Sequence, residues 1–126
     1  MSHEEKILEV LQEDLMPLED IHACMVARRG LEGILPLTEE FKQEITGIWE
    51  ILKNTMDEFF TIIAQYSEFG LDKAYFELGD YDVMFFILPS SDTALVAIVP
   101  ALANRGLLEV ELENARRAII KIVEEP

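Results

Sequence analysis

The chain has 126 residues, a length typical of one domain and too short for two ordinary ones. Its 25 acidic and 10 basic residues give a formal charge of −15, which disfavours nucleic acids and anionic membranes as partners, because both are bound through Lys and Arg. Half of the residues are apolar, so we expect a buried core rather than disorder. The acidity would attract a cation or a partner with a basic patch, or it serves solubility alone.

Neither a membrane anchor nor a disulfide is expected. Residues 1–12 contain no apolar signal core, and the longest apolar runs, residues 83–89 and 93–103, are too short to cross a bilayer. Cys24 is the single cysteine, which excludes an intrachain disulfide and a multi-cysteine metal site. We therefore expect a cytoplasmic protein without membrane insertion.

The first part of the chain predicts a helix followed by a β-hairpin. Residues 2–15 carry apolar side chains at helical spacing, with Ser2 as the N-cap and Pro17 at the end. Residues 21–27 and 31–37 are short and β-compatible, and Gly30 between them permits a tight turn. Pro36 indicates that the second strand ends there or lies at a sheet edge.

A long helix is predicted next, from a cap at Thr38 to about Ser67, with Gly70 as the stop. Its main apolar stripe consists of Phe41, Ile45, Ile48, Leu52, Phe59, Ile63 and Tyr66. A second stripe of Trp49, Met56 and Phe60 lies beside it, and Ile51 and Ile62 widen the apolar surface. Because a helix lying on one sheet needs a single stripe, this helix is either buried on two sides or meets a second chain.

The last part predicts three strands, residues 73–78, 82–88 and 93–100, and a final helix over residues 107–123. The second and third of these strands are apolar throughout, which indicates helices on both faces of the sheet. Strands joined by tight turns must run antiparallel. We therefore predict one α/β (α+β) domain over residues 1–126. It would be a three-layer α-β-α sandwich with a five-stranded, mostly antiparallel sheet, in the order α-β-β-α-β-β-β-α.

The chain resembles the roadblock family, named after a dynein light chain, over nearly its whole length. Residues 81–89 look like the central strand of the family, and residues 94–99 look like the next strand. Residues 104–108 contain the asparagine–x–glycine–leucine step that is typical of the entry into the closing helix. The hairpin over residues 23–33 is similar in position, but Arg29 stands where the family usually has an acidic residue.

The resemblance implies a non-enzymatic homodimeric adaptor or regulator that binds a small Ras-like GTPase or a related regulatory protein. Roadblock-type domains form homodimers or heterodimers, in which the long helices pack against each other and the third strands pair across the two-fold axis. Members also serve as motor-complex light chains, and prokaryotic members are commonly linked to gliding-type GTPases. Such a dimer would account for the surplus apolar surface and for an unprotected third strand. The candidate dimer-interface residues are Trp49, Met56, Phe60, Tyr75 and Glu77.

The sequence contains no recognisable catalytic, cofactor or metal motif. His22 and Cys24 would share one face of a strand, but a buried cysteine is usually a small apolar residue, and two isolated histidines do not make a transition-metal site. Neither glycine-rich phosphate motif occurs, so any role in a GTPase cycle would act on the active site of the partner. An arginine finger is one such route, with Arg28, Arg29 and Arg105 as candidates; alternatively, these are ordinary turn residues.

Two other functions are open. The chain could be a small-molecule-sensing domain with a ligand cavity between sheet and helices, which would need convergent polar groups that residues 83–88 and 94–99 hardly offer. It could also be an enzyme, although no constellation of residues supports one.

Overall fold

A computed structural model describes residues 2–36 and 43–126. The described residues confirm the predicted order of elements. The helices are α1 (His3–Val10), α2 (Gln43–Gln65) and α3 (Arg105–Glu124). The strands are β1 (Ala23–Arg28), β2 (Leu31–Ile34), β3 (Lys73–Leu78), β4 (Tyr81–Ile87) and β5 (Thr93–Pro100).

The five strands form one sheet in the order β2-β1-β5-β4-β3, and each neighbouring pair is antiparallel. The central strands β4 and β5 are buried along almost their whole length, as their uninterrupted apolar sequences predict. One core cluster lies between the sheet and the α1–α3 layer, and a second lies between the sheet and α2. Among the described residues, no further strand pairs with the outer edge of β2 or β3.

The N-terminal helix and the hairpin follow the prediction with one local difference. The Ser2 hydroxyl accepts from the Glu5 amide at 3.2 Å, which is the expected cap. Residues Leu11–Leu15 form a wider π turn, closed by the Met16 amide donating to the Leu11 carbonyl at 2.9 Å. Side chains four residues apart do not point in the same direction on an α-helix. The wider turn compensates for this difference, and Leu11 and Leu15 are both buried. Gly30 has φ +72° in the hairpin turn.

Residues from both predicted apolar stripes of α2 form its sheet-facing side. Trp49, Met56 and Phe60 are 3 %, 6 % and 0 % exposed and pack on the sheet, in the core of the single chain. The sheet-facing stripe is completed by Ile45, Leu52 and Ile63. The three residues assigned to a second chain are therefore core residues, whereas Ile48 and Tyr66 of the predicted main stripe are not fully buried. The predicted cap Thr38 and Phe41 lie outside the described residues.

Candidate functional site

The outer side of α2 carries a second, mostly apolar stripe, and each of its members within the helix directly precedes a sheet-facing residue. Adjacent helix residues point about 100° apart, so this stripe lies beside the core stripe and turns towards β3. Ile51 and Ile62 are 65 % and 51 % exposed, and Tyr66 is 54 % exposed. The full stripe is Ile48, Ile51, Thr55, Phe59, Ile62 and Tyr66.

This stripe and β3 enclose an apolar groove, here named the α2–β3 groove. Two adjoining depressions of about 340 and 390 Å³ form it, and both are lined by Phe59, Ile62 and Phe76. Phe59 lies 5.0 Å from Phe76 and 5.7 Å from Phe85 between ring centroids, so aromatic rings form the floor. Leu78, 45 % exposed, lines one end of the groove. A contiguous apolar surface of this kind is typical of an interaction site.

The groove runs along the free edge of β3. Opposite residues in an antiparallel ladder are hydrogen-bonded at every second pair. The Ile87 amide donates to the Asp72 carbonyl at 2.8 Å, and the register continues with Ala74 opposite Phe85. The even-numbered residues of β3 therefore bond to β4. The backbone N–H and C=O groups of Lys73, Tyr75 and Glu77 point outward, where a further strand could bond to them.

The side chains of those three residues meet α3 on the opposite face of the sheet, in what we name the β3–α3 polar ladder. Lys73 lies 4.0 Å from Glu113, the Tyr75 hydroxyl donates to Glu109 at 2.9 Å, and Arg105 lies 3.8 Å from Glu77. Two residues of a strand advance about 6.8 Å, and four residues of a helix advance about 6 Å. Every second residue of β3 can therefore meet every fourth residue of α3. Burial, then the hydrogen bond and the charge of Glu109, raise the pKa of Tyr75 to about 12.

Two of the three candidate arginines pair with carboxylates of the same chain. The Arg28 guanidinium bonds to Glu4 at 2.9 Å and to the Glu32 carbonyl at 2.6 Å, which ties the hairpin to α1. Arg105, at the start of α3, pairs with Asp82, whose side chain is 5 % exposed. Arg29 is exposed and donates to the Thr61 hydroxyl of α2 at 3.2 Å. The structure does not bring the three arginines together into one site.

Asp82 is a buried carboxylate whose partner the sequence analysis did not identify. It is the one buried polar residue among residues 2–36 and 43–126, and the charge of Arg105 compensates for its burial. Its position in an otherwise apolar strand was the available signal, because a carboxylate there needs a partner. Glu109 and Glu113 were missed as well. They occur at a four-residue interval on α3, and only the register of β3 reveals their pairing.

Cys24 is 0 % exposed, and burial raises the pKa of its thiol to about 12. The reactive species is the thiolate, so the environment does not activate this sulfur. Among the described residues, no group of three or more His, Cys, Asp and Glu side chains could hold a metal ion. No helix in the described ranges is long and apolar enough to cross a membrane.

A further cleft of about 600 Å³ lies between the hairpin and α2. Its lining combines apolar side chains, such as Met25 and Met56, with the polar side chains of Lys53, Asn54 and Asp57. The Asp57 carboxylate accepts from the Gly30 amide at 3.0 Å, which fixes the hairpin turn to the helix.

Comparison with known proteins identifies the fold. No protein-family model and no curated protein sequence matches the chain. Among solved structures, MglB of Myxococcus xanthus superposes with a TM-score of 0.70 at 16 % identity, covering 96 % of this chain and 90 % of MglB. MglC from Myxococcus xanthus gives a TM-score of 0.51 at 19 % identity, covering 93 % of this chain and 98 % of MglC. The chain therefore has the roadblock-type fold that its sequence predicts.

Proposed function

We propose that this protein is a non-enzymatic homodimeric adaptor or regulator of the cytoplasm that binds a small Ras-like GTPase or a related regulatory protein. The observation that carries the proposal is the α2–β3 groove beside a free strand edge. It is an apolar surface next to backbone groups that bond to no strand in the described part of the chain, and a second copy could cover both at once. The likeness to MglB and MglC, and the implications of the roadblock resemblance, support the same role.

The proposed dimer uses the outer stripe of α2 and the edge of β3. Ile51, Phe59 and Ile62 take the place of the three core residues first assigned to the interface. Tyr75 and Glu77 remain interface candidates, since both lie on the free edge strand. Pairing two such edges would bury the exposed apolar side chains and give each outward backbone group a partner.

The proposed partner presents a basic surface. Among the described residues, seven basic side chains lie within 4.0 Å of a carboxylate: Lys6, Arg28, Lys53, Lys73, Arg105, Arg116 and Arg117. The chain has 25 acidic residues, and most of the carboxylates that the structure describes have no such partner, which gives the surface a negative potential. This potential would steer a positively charged protein and repel nucleic acid.

Sedimentation of the purified protein tests the dimer. We expect the wild type to sediment as a dimer and the Ile62→Glu variant as a monomer, because a charge in the apolar groove would be desolvated without a partner. The Val110→Glu variant is the matched control, since Val110 is 56 % exposed on α3, away from the groove. A monomeric wild type, or dissociation by both substitutions alike, would contradict the proposal.

Partner binding is tested with the small Ras-like GTPases of the same organism, each loaded with GDP or with a non-hydrolysable GTP analogue. We expect one of them to bind the dimer, and the affinity to fall with salt because opposite charges attract. Arg29 is the arginine most available for a contact with the GTPase active site. Arg29→Ala should therefore reduce any acceleration of GTP hydrolysis and leave the fold intact. If no GTPase binds in either nucleotide state, the adaptor role is refuted in this form.

The cleft between the hairpin and α2 favours the sensing function as a second candidate. Its volume of about 600 Å³ lies in the range of small-molecule sites, and its lining is partly polar. A metabolite screen by thermal shift tests it: a ligand whose stabilisation disappears in Asn54→Leu would place the ligand in the cleft. Stabilisation by none of the metabolites would remove this candidate.

A further inference from the structure

We infer that two copies of this chain pair their β3 strands with Tyr75 opposite Tyr75 of the partner subunit, so that Lys73 faces Glu77 of the partner subunit. This register rests on the proposed dimer and makes it more specific. It makes the strand edge complementary to itself, so that a second copy of this chain is the preferred occupant.

The backbone allows a small set of registers. Lys73, Tyr75 and Glu77 direct their hydrogen-bonding groups outward, as the bond from the Ile87 amide to the Asp72 carbonyl requires. An antiparallel pair related by a two-fold axis can be centred on residue 74, 75 or 76. The register centred on Tyr75 places all three outward residues in hydrogen-bonded pairs, and no residue outside β3 is needed.

Side chains select among these registers. Centred on residue 75, Lys73 faces Glu77 of the partner subunit at two symmetric positions, and opposite charges directly across a ladder are stabilising. On the groove face the small Ala74 then lies opposite the large Phe76 of the partner subunit. Centred on residue 76, Lys73 would face Gly79 and Glu77 would face Tyr75. Centred on residue 74, Glu77 would face Leu71, so both alternatives lose the charge pairs.

The register also connects the ion pairs that each chain already forms between β3 and α3. Lys73 lies 4.0 Å from Glu113, and Glu77 lies 3.8 Å from Arg105, both within the β3–α3 polar ladder. Side-chain exposures of 34 % for Lys73 and 76 % for Glu77 leave both able to reach a second strand. Pairing joins the two ladders through Lys73 and Glu77 of the partner subunit. A strand edge without this charge order would not fit, which disfavours pairing with a different chain.

Charge reversal with mixing tests the register. Lys73→Glu and Glu77→Lys each place like charges opposite one another twice in a homodimer, and we expect each to weaken dimerisation about tenfold. A mixture of the two variants should regain wild-type affinity, because every facing pair is again opposite in sign. Lys121→Glu and Glu124→Lys, both exposed near the end of α3, are the matched controls and should change dimerisation little, alone or mixed.

The outcomes separate this inference from the proposed function. If the wild type is dimeric and the mixture stays as weak as either variant alone, the register is refuted and the dimer stands. If the wild type is a monomer, the proposed dimer fails, and the register fails with it.

Disulfide trapping keeps the inference testable if a charge variant does not fold. Lys73→Cys mixed with Glu77→Cys should cross-link between chains, because facing Cα atoms lie about 5.5 Å apart, within disulfide reach. Neither variant alone should cross-link, since the same residue in the two chains would lie about 14 Å apart along the strands. Cys24 is fully buried and does not compete. Cross-linking of each single variant as readily as of the mixture would refute the register.

Discussion

Truncating Phe60 to alanine tests which side of α2 forms the core of a single chain. The ring is 0 % exposed and packs with Trp49, Met56 and Phe85 between α2 and the sheet. Removing a fully buried phenylalanine side chain costs about 3–5 kcal/mol, through lost burial and the cavity left behind. With a urea dependence of about 2 kcal/mol per M, a loss of about 4 kcal/mol lowers the unfolding midpoint by about 2 M.

The assay is urea unfolding followed by the fluorescence of the single tryptophan, which lies in the same core cluster as Phe60. All variants are compared at one protein concentration, since a dimer unfolds at a concentration-dependent midpoint. Phe69→Ala is the control, because the same substitution at an 85 % exposed position should cost less than about 0.5 kcal/mol. Equal losses for the two variants, or a loss below about 1 kcal/mol for Phe60→Ala, would refute the assignment of the core face.

Three further outcomes follow from the charged and titratable groups. Arg105→Met should lower the stability in thermal or urea unfolding, because it leaves the Asp82 carboxylate buried without its partner; Asp82→Asn should lower it less, since an amide oxygen still accepts. Burial by itself would raise the pKa of Glu113, but the hydrogen bond and charge of Arg116 outweigh it and hold that pKa below its usual value. Ionised Glu113 therefore stabilises the fold above its unfolded pKa of about 4.3, and this contribution is lost as the pH falls through the folded pKa. Glu113→Gln should consequently be less stable than wild type at pH 7, with a gap that narrows below about pH 4; a constant gap would contradict the assignment. The Cys24 thiol, with its pKa raised by burial to about 12, should resist an aromatic disulfide reagent at pH 8 and react once urea unfolds the chain.

The fold was largely predictable because its strongest signals are local. Strands β3 and β5 have the predicted bounds, since turn residues flank each of them. The start of α3 was predicted two residues too late, because the Asn104 side chain accepts from the Leu107 amide at 3.2 Å and so caps a longer helix. Strand β2 ends at Ile34, before the predicted end.

The candidate site was predictable only in part, because its assignment depends on contacts distant in sequence. Two neighbouring stripes of α2 have the same helical period, and Ile62 and Ile63 show how adjacent residues serve groove and core. Periodicity cannot tell which stripe faces the sheet; only packing decides it. Likewise, nothing near Arg28 or Arg105 in the sequence indicates their pairing with Glu4 and Asp82, 24 and 23 residues away.

The two outer edges of the sheet differ in a way that bears on how many chains can join. Strand β3 offers six residues with an apolar groove beside them. Strand β2 has four residues, and its pairing with β1 shifts register between Val26 and Arg28 of β1. The Glu32 carbonyl of β2 is already bonded by the Arg28 side chain. A dimer sheet that is joined at β3 would therefore have the short, irregular strand β2 at both ends. In the proposed dimer this asymmetry would favour assembly of two chains and disfavour the addition of further strands.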